Sequence, residues 1–582
     1  LMMRRPPRST LSPSSAASDV YKRQYRWRLR DPLLDWRDLV EAFGLHGAIA
    51  RVLAGRLKSI GEVKSFLNKD FNDILPPERL PGAREAAERI ARAIREGETI
   101  LIHGDYDTDG VTSLALLYRN LTRLGAKRVV PYIPNRFSEG YGLSAEGVKK
   151  AKEEGASLII TVDCGITALA EAALARELGL DLVITDHHEA LPELPEARAV
   201  VNPRLGDYPF RELAGVGVAF KVMLLVYELL GEDPRPLLWD LDLVALGTVA
   251  DVAPLVGENR ILVEYGLKIL SKTLKAGLKA LKHTARLRNE EITPWHVSFI
   301  LAPRLNAAGR LTSAYNAFQL LITPSGAEAL RLAKFLEQEN LRRQAIERKI
   351  LKEAQELAED QAERWFIVAH KEGWHEGVIG IVASRLVELT FRPVALISVG
   401  GEVSRGSARS IPSFHIQEAL EEVSDLFLDF GGHPMAAGFS LRTERIEEFS
   451  ERIEEIAKDR LTEVDLIPAL DVDAEMRLDE LGIKFYKDYR RLFPIGFGNS
   501  HPVFVSRELR VIKREQNGSS LKLLVERDGI EALVSLKEPD PEALSLEPGD
   551  TVDLAFTVET ETPMKRGLVL LRGVDVRKVE PS

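Results

Sequence analysis

Several apolar runs punctuate the middle of the chain. Residues 100–102 form a short unbroken run, Leu158–Val162 and residues 182–185 are rich in β-branched side chains, and a longer run covers residues 243–250. Each reads as a buried strand, because a central parallel strand is apolar on both faces. Helical stretches separate them, the first over residues 111–124. The pattern therefore predicts strand–helix units and a parallel sheet with crossover helices. Farther on, residues 325–360 hold few Pro or Gly and many Ala, Leu, Glu, Lys and Arg, which predicts one long helix. From residue 509 to 579 strand patterns alternate with Gly, Asp and Pro turns, a β-barrel profile.

The polar residues at the ends of these apolar runs change the picture. After residues 100–102 come His103, Asp105, Asp107 and Asp109, closed by Gly110. Asp163 comes after the second run, Asp186-His187-His188-Glu189 after the third and Asp251 after the fourth. Side chains i, i+2 and i+4 of an extended chain point the same way, so Asp105, Asp107 and Asp109 can converge. Carboxylates that close repel one another, and no Lys or Arg lies among them; a bound cation keeps them ionised at least cost. Parallel sheets bind ligands at the carboxyl ends of their strands, so the four clusters are expected to meet in one cleft. Alone, each Asp would read as a helix cap or turn residue. Their repetition at one topological location argues for a shared site. An EF-hand loop would need Glu at its twelfth position and a helix before it; here Leu116 and a strand pattern stand there.

Several Asp and up to three His, with almost no Cys, favour Mg²⁺ or Mn²⁺, and imidazole tips the balance toward Mn²⁺. A closed structural zinc site does not match. The donors suffice for two ions bridged by one Asp, an arrangement that activates water for in-line displacement at phosphorus. Phosphoester hydrolysis is the reaction class this predicts.

Asp186-His-His in this setting resembles the DHH phosphoesterase superfamily, and the chain around it is similar to the RecJ branch of single-strand-specific DNA exonucleases. The resemblance rests on His103-Gly-Asp-Tyr-Asp-Thr-Asp-Gly-Val111, Asp163-Cys-Gly, Asp186-His-His and Thr248-Val-Ala-Asp251, in order. Ala302-Pro-Arg-Leu-Asn-Ala-Ala-Gly-Arg310, Gly373-Trp-His-Glu-Gly-Val-Ile-Gly-Ile-Val-Ala-Ser-Arg385, Arg405-Gly-Ser-Ala-Arg409 and Gly431-Gly-His-Pro-Met-Ala-Ala-Gly438 extend it. It implies an α/β fold: a doubly wound parallel-sheet DHH domain, a long connecting helix, a smaller α/β DHH-associated domain and a C-terminal OB-fold β-barrel. It implies His103, Asp107 and Asp163 as ligands of one cation, and Asp109, Asp163, His187 and Asp251 as ligands of a second, with Asp163 bridging. Asp105 stands near the ions, its direct ligation varying across the superfamily. His188 either orients the phosphate or protonates the leaving oxygen.

The implied activity is metal-dependent 5′→3′ hydrolysis of single-stranded DNA to 5′-mononucleotides in DNA repair and recombination, with two Mn²⁺ or Mg²⁺. Arg304, Asn306, Arg310, Ser407, Arg409, Gly432 and His433 are the expected substrate-binding residues. Guanidinium groups, hydroxyls and glycine-exposed amides suit phosphate oxygens. Arg304 and Arg310 are expected to flank a turn. Two other readings keep the same fold: a short-oligonucleotide hydrolase or phosphatase, and a non-catalytic DNA-binding replication scaffold.

At 582 residues several domains are expected, and 45% apolar against 29% charged residues describes an ordinary core-forming protein. One Cys excludes an intrachain disulfide framework and fits a cytoplasmic setting. No apolar run reaches the ~18 residues of a membrane span. The net charge of −10 runs against the basicity usual for nucleic-acid binders. Part of it is the metal cluster, and Arg342, Arg343, Arg348, Lys349 and Lys352 form a basic run that is either a solvated helix face or a strand-binding surface. Phe497, His501 and Phe504 either stack on bases or belong to the core. Residues 1–24 are similar to translated adapter sequence and are expected to be a disordered, non-native tail. The remaining expectations are a helical N-terminal region (25–95), the DHH domain (96–325), the connecting helix (326–360), the DHH-associated domain (361–460) and the OB-like domain (461–582). The implied enzyme is a monomer that works with single-stranded DNA, a helicase and a single-strand-binding protein, away from membranes.

Overall fold

The computed structural model of the chain describes residues 25–136, 138–287, 290–518, 520–537, 539–558, 564–565 and 568–579. The expected N-terminal tail lies outside them. The chain divides into two compact units. One holds residues 61–343 together with 491–501; the other holds residues up to 60, 344–490 and 502 onward.

The first unit is built on β1 (Thr99–Gly104), β2 (Arg128–Tyr132), β3 (Leu158–Val162), β4 (Asp181–Thr185) and β5 (Ala199–Val201), all parallel, in the order β2-β1-β3-β4-β5. Side-chain alternation divides the apolar residues between two cores. Ile100, Ile102, Leu158, Ile160 and Val183 join α1 (Ala83–Glu96), α2 (Thr108–Arg123) and α5 (Gly215–Leu230), whereas Leu101, Ile159, Leu182 and Ile184 join α3 (Ala145–Glu153) and α4 (Leu169–Glu177). Both faces are covered, so unbroken apolar strands are what the sheet requires. The strand order reverses between β1 and β3, and that switch point is where a ligand site belongs.

Residues 243–250, expected as a strand, lie instead in helix α6 (Leu241–Ala250). Every residue from Leu241 to Val249 is buried. A helix packed on all sides shows no amphipathic period, so its sequence cannot be told from a buried strand by pattern. It packs against α2, α5 and α7 (Gly257–Ser271), and Gly266 lets the α7 backbone approach the Leu241 carbonyl. A second correction concerns Arg304 to Arg310, expected as a turn. It is helix α8 (Ala302–Leu311), entered through a π-helical turn, Val297–Leu301. Gly309 serves close packing, since a Cβ there would lie 2.6 Å from the Tyr106 carbonyl oxygen. The long helix is present as α9 (Gly326–Glu359).

The second unit carries β6 (Ile367–Glu372), β7 (Val394–Val399), β8 (Val403–Arg409), β9 (Phe427–His433) and β10 (Ala436–Arg442), ordered β9-β10-β8-β7-β6, with α10 (Glu376–Thr390) against β7 and β8. It also carries a barrel of β11 (Phe504–Asn517), β12 (Ser520–Arg527), β13 (Ile530–Lys537), β14 (Thr551–Val558) and β15 (Leu568–Lys578). The order is β11-β12-β13-β15-β14, and β11–β14 pairing closes it, the connectivity of an OB-like barrel. Phe504 is fully buried beside Phe485 and Phe556, so it is core. A short strand, Arg26–Leu29, opens the described chain and pairs with residues 469–472, ahead of the helices. No helix among the described residues is long and apolar enough to cross a membrane.

Candidate metal centre

Three strand ends and one helix end deliver the ionisable residues. β1 stops at Gly104, and the chain folds back so tightly that a Cβ at Gly110 would lie 2.7 Å from the Asp105 backbone. Asp107 caps α2 by accepting the Gly110 N–H at 3.0 Å. Asp109 sits in the first turn of α2 and accepts two further N–H groups, from Gly215 (2.7 Å) and Val216 (3.0 Å), at the start of α5. Two helix N-termini thus face one carboxylate, an arrangement favourable to negative charge.

Asp163 comes directly after β3 with φ 61°, in the left-handed region, a conformation that costs a non-glycine residue about 1–3 kcal/mol and concentrates at functional sites. Its Oδ1 lies 3.1 Å from His187 Nε2, which lies 3.8 Å from Asp251 Oδ2. Asp251 caps the C-terminus of α6, where the helix dipole disfavours an acid, so its place there is not a helix-stability choice. Three overlapping triads result: Asp105, Asp107 and Asp163; Asp109, His187 and Asp251; Asp163, His187 and His188. Within each, one ligand atom per residue lies within 4.8 Å of the others.

Asp105 Oδ1, Asp163 Oδ1 and His187 Nε2 are buried and, beyond the 3.1 Å approach of the last two to each other, have no hydrogen-bond partner. Buried polar atoms are ordinarily paired, and these three point into one cluster, so the donor set fits divalent cations. The electrostatics agree. Burial, then the neighbouring carboxylates, raises the pKa values of Asp105, Asp163 and Asp251, and burial with Asp107 raises that of Asp109 to about 7. Burial, then the charge of His188, lowers His187 to about 3, leaving the neutral imidazole that ligates metal.

Asp186 is buried and plays a different part. Its Oδ1 accepts the N–H of His187 (2.7 Å) and of His188 (3.2 Å) and pairs with His188 Nδ1 at 2.7 Å, while Oδ2 accepts the Ile166 N–H at 2.9 Å. Burial opposes the charge on His188, but the Asp186 hydrogen bond and the carboxylates of Asp186, Asp251 and Asp107 push it up to about 9. Asp186 therefore positions both histidines and fixes a cation at His188. The His187 carbonyl takes Arg204 Nε (2.8 Å), and the His188 carbonyl takes Asn202 Nδ2 (2.9 Å).

His103 is fully buried, its pKa lowered to about 4 by that burial, and it joins none of these triads. Its Nε2 faces the Ser144 N–H (3.4 Å) and its ring lies against Tyr132. A Cβ at Gly147 would strike it at 2.5 Å. The group with Asp107 and Asp163 includes Asp105. Among the expected substrate residues, Asn306 accepts the Thr108 hydroxyl at 2.8 Å, between two ligand residues. Arg304 forks onto Glu337 (Nη2–Oε1 3.2 Å), and Arg310 lies in the last turn of α8. In the other unit Arg409 Nη1 donates to Ser407 Oγ at 3.0 Å on β8, Gly432 packs against the Ala436 carbonyl across the β9–β10 hairpin, and His433 lies exposed beside it.

Sequence reasoning missed Gly215, Tyr141 and Glu139. Tyr141 Oη stands 3.1 Å from His188 Nδ1 and 3.3 Å from the Asp163 carbonyl oxygen. Glu139 ties that loop down by accepting from Tyr132 Oη and Ser144 Oγ, each at 2.7 Å, and from the Asn135 N–H at 2.8 Å. The one signal available was the Tyr-Gly-Leu-Ser stretch ahead of α3, which places a helix cap but no ligand.

Residues 99–248 match the DHH family N-terminal domain, 363–459 the DHHA1 domain and 472–572 the RecJ OB domain. The single-stranded-DNA-specific exonuclease RecJ of Bacillus subtilis (strain 168) is 43% identical over 82% of this chain, which spans 61% of that protein's length. The same-named protein of Escherichia coli (strain K12) is 38% identical over 80% of this chain and 84% of its own. A crystal structure of RecJ in complex with Mn²⁺ from Thermus thermophilus superposes with a TM-score of 0.83 at 34% identity, covering 96% of this chain and 80% of that one.

The geometry carries two expected outcomes. In a helix interior Gly→Ala usually gains about 0.5–1 kcal/mol. At Gly247, however, a Cβ would meet Asp109 Oδ1 at 2.6 Å. Gly247→Ala is therefore expected to weaken Mn²⁺ binding by roughly tenfold, the scale of support-residue effects on metal sites; calorimetric titration measures it, and unchanged affinity would contradict the packing. The second concerns pH. Above about pH 7.5 the low-pKa histidines of this unit, His103 and His187, are largely neutral in folded and unfolded chains alike. The raised carboxylates and His188 then all bind protons more tightly when folded, so the stability of the EDTA-treated protein should fall as pH rises toward about 9. Mn²⁺ should flatten that slope; scanning calorimetry across the range would show a flat or rising EDTA profile if the carboxylates do not converge.

Proposed function

Because the chain belongs to the RecJ family of DHH proteins, we propose that it is a metal-dependent exonuclease that removes 5′-mononucleotides from single-stranded DNA in the 5′→3′ direction, in DNA repair and recombination. The observation that carries this reading is the convergence of Asp105, Asp107, Asp109, Asp163, His187 and Asp251 around buried, unpartnered ligand atoms. Bound there, two Mn²⁺ or Mg²⁺ would lower the pKa of a water and offset charge on the scissile phosphate. Asp163 and His187 belong to overlapping ligand groups, which suits a shared role between two cations. Asp109, fixed by the α5 amides, and Asp107, fixed as a helix cap, keep the remaining carboxylates from turning away. His188, held cationic by Asp186, presents a proton donor suited to a phosphate oxygen or to the leaving oxygen.

The RecJ relatives are named for single-stranded DNA, and the OB-like barrel supports a strand rather than a dinucleotide as substrate. Polarity requires recognition of a terminal phosphate, for which Ser407 and Arg409, already paired on β8, supply hydroxyl and guanidinium donors. An enzyme confined to single strands depends on a helicase to expose them, and a single-strand-binding protein and a monomeric state complete the reading.

Asp163→Ala is expected to lower kcat by at least about a hundredfold while leaving the affinity for single-stranded DNA within a few-fold, since it removes transition-state stabilisation worth several kcal/mol. Single-turnover hydrolysis with Mn²⁺ and fluorescence anisotropy read the two quantities; substantial residual turnover would refute the shared-ligand role. Arg409→Ala is expected to narrow the preference for a 5′-phosphorylated over a 5′-hydroxyl strand. Equal losses on both strands, measured as kcat/KM, would remove Arg409 from phosphate recognition.

A further inference from the structure

Residues 491–501 fall within the sequence matched to the OB domain, yet they pack in the unit that carries the metal centre. Arg260 holds them there. Its buried guanidinium donates to the carbonyls of Arg491 (3.0 Å), Leu492 (3.0 Å), Phe493 (2.8 Å) and Pro494 (3.1 Å), and its Nε to that of Phe66 (3.1 Å). Its plane lies 3.8 Å from the Phe66 ring centroid. Asn499 Nδ2 closes the segment on itself through the Leu492 and Pro494 carbonyls, each at 2.8 Å, and the Leu255 N–H donates to the Phe497 carbonyl at 2.8 Å.

Pinned this way, the segment forms one wall of a cavity of about 550 Å³. The other walls are the chain leaving α6 and the turn that leads into α8. Among the described residues that line it there is no Asp, Glu, Lys or Arg. Its rim holds Trp295, Phe299 and Phe497, which are 57%, 68% and 61% exposed, with Val252 at 56%. Trp295 and Phe299 lie 5.8 Å apart at 32°. Large aromatics left in water around one apolar cavity mark an interaction site, and the volume lies within the ~300–1,000 Å³ of small-ligand pockets.

Its placement selects the occupant. Val252 comes directly after the ligand Asp251. The helical run that starts at Trp295 continues through α8 to Asn306, which accepts from Thr108 in the ligand loop. From Phe299 to Asn306 is about 10 Å along such a run. A molecule whose phosphate is held at the metal centre and whose next groups are flat, aromatic and uncharged fits both ends. Resting on the nuclease reading above, we propose that this cavity is a subsite for one unpaired nucleobase of the substrate strand, and that Arg260 is the positioning residue that completes it. A base still paired in a duplex cannot turn its face onto the rim rings, so the subsite also selects single strands.

The test is a coupling measurement. Single-stranded oligonucleotides carrying one abasic residue, scanned over the positions nearest the cleaved end, are compared with the intact strand by kcat/KM. At one position the wild type is expected to lose about tenfold, the scale of one base–aromatic stack. The Trp295→Ala/Phe299→Ala double variant should lose about tenfold on the intact strand and show no further loss at that position. Arg260→Lys should reduce the same coupling though it removes no rim side chain, which a purely structural role would not do. Losses that simply multiply at every position overturn the subsite while leaving the nuclease reading intact. A wild-type enzyme that does not degrade the intact strand overturns both.

Discussion

Mutual repulsion among buried carboxylates is the constraint on which the rest of the structure turns. Asp105, Asp107, Asp109, Asp163 and Asp251 are brought together with neutral His187 as their immediate neighbour. The same unit shows that the chain is able to solve such a problem with side chains alone. Asp240 and Asp242 are as deeply buried, yet Lys275 Nζ stands 3.0 and 2.8 Å from them and Arg119 reaches Asp240 at 3.2 Å. There burial is opposed by Lys275 and Arg119: the Asp240 carboxyl stays below its usual range, although burial still raises that of Asp242. At the metal centre burial and the neighbouring carboxylates together raise Asp105, Asp163 and Asp251, with no Lys or Arg among the described residues paired to them. Charge left uncompensated in a buried site is expensive, and a divalent cation compensates it without occupying the space a lysine would need.

Holding the ligands against that repulsion falls to backbone groups and small residues. The α5 amides grip Asp109 and the start of α2 grips Asp107. Gly215 and Gly247 bring α5 and α6 close enough that a Cβ at either would enter the carboxylate shell of Asp163 or Asp109. The left-handed Asp163 stores strain that the surrounding β3–β4 ladder must outweigh. These devices act on the ligand residues through backbone amides, helix ends and missing side chains. They explain why helices far apart in sequence converge on a single end of the sheet.

The legibility of each element depends on the kind of signal it leaves in the sequence. β1, β3 and β4 are readable because both faces of a central strand are buried and the run is therefore apolar throughout. The same logic misreads residues 243–250. A helix buried on every side leaves the same trace, and only its Ala, Leu and Gly content hints otherwise. α9 is readable from composition alone. Arg304 to Arg310 reads as a turn because Pro303 and Gly309 punctuate it, but proline is tolerated in a first helical turn and the glycine answers to Tyr106 across space. The ligand positions are legible as acids at element ends. The position of His103 outside the three triads is not, because it depends on the Ser144 N–H facing its Nε2 and on Gly147 leaving room for its ring. Residues 491–501 carry no sequence mark of the unit they join, since the contacts that bind them are backbone carbonyls received by Arg260.

The acidity that runs against a polyanionic substrate is, on this geometry, a local matter. A net charge of −10 is spread over 582 residues. The five clustered carboxylates would be offset to within about one unit by two divalent cations. A phosphate would then meet a site near neutrality, close to a cavity whose described lining holds no Asp or Glu. Recognition in such an enzyme does not need a basic surface. On the reading proposed above, it needs metal-dependent neutralisation of charge at one point and apolar room for the base beside it, and the end of α6, where Asp251 gives way to Val252, adjoins both.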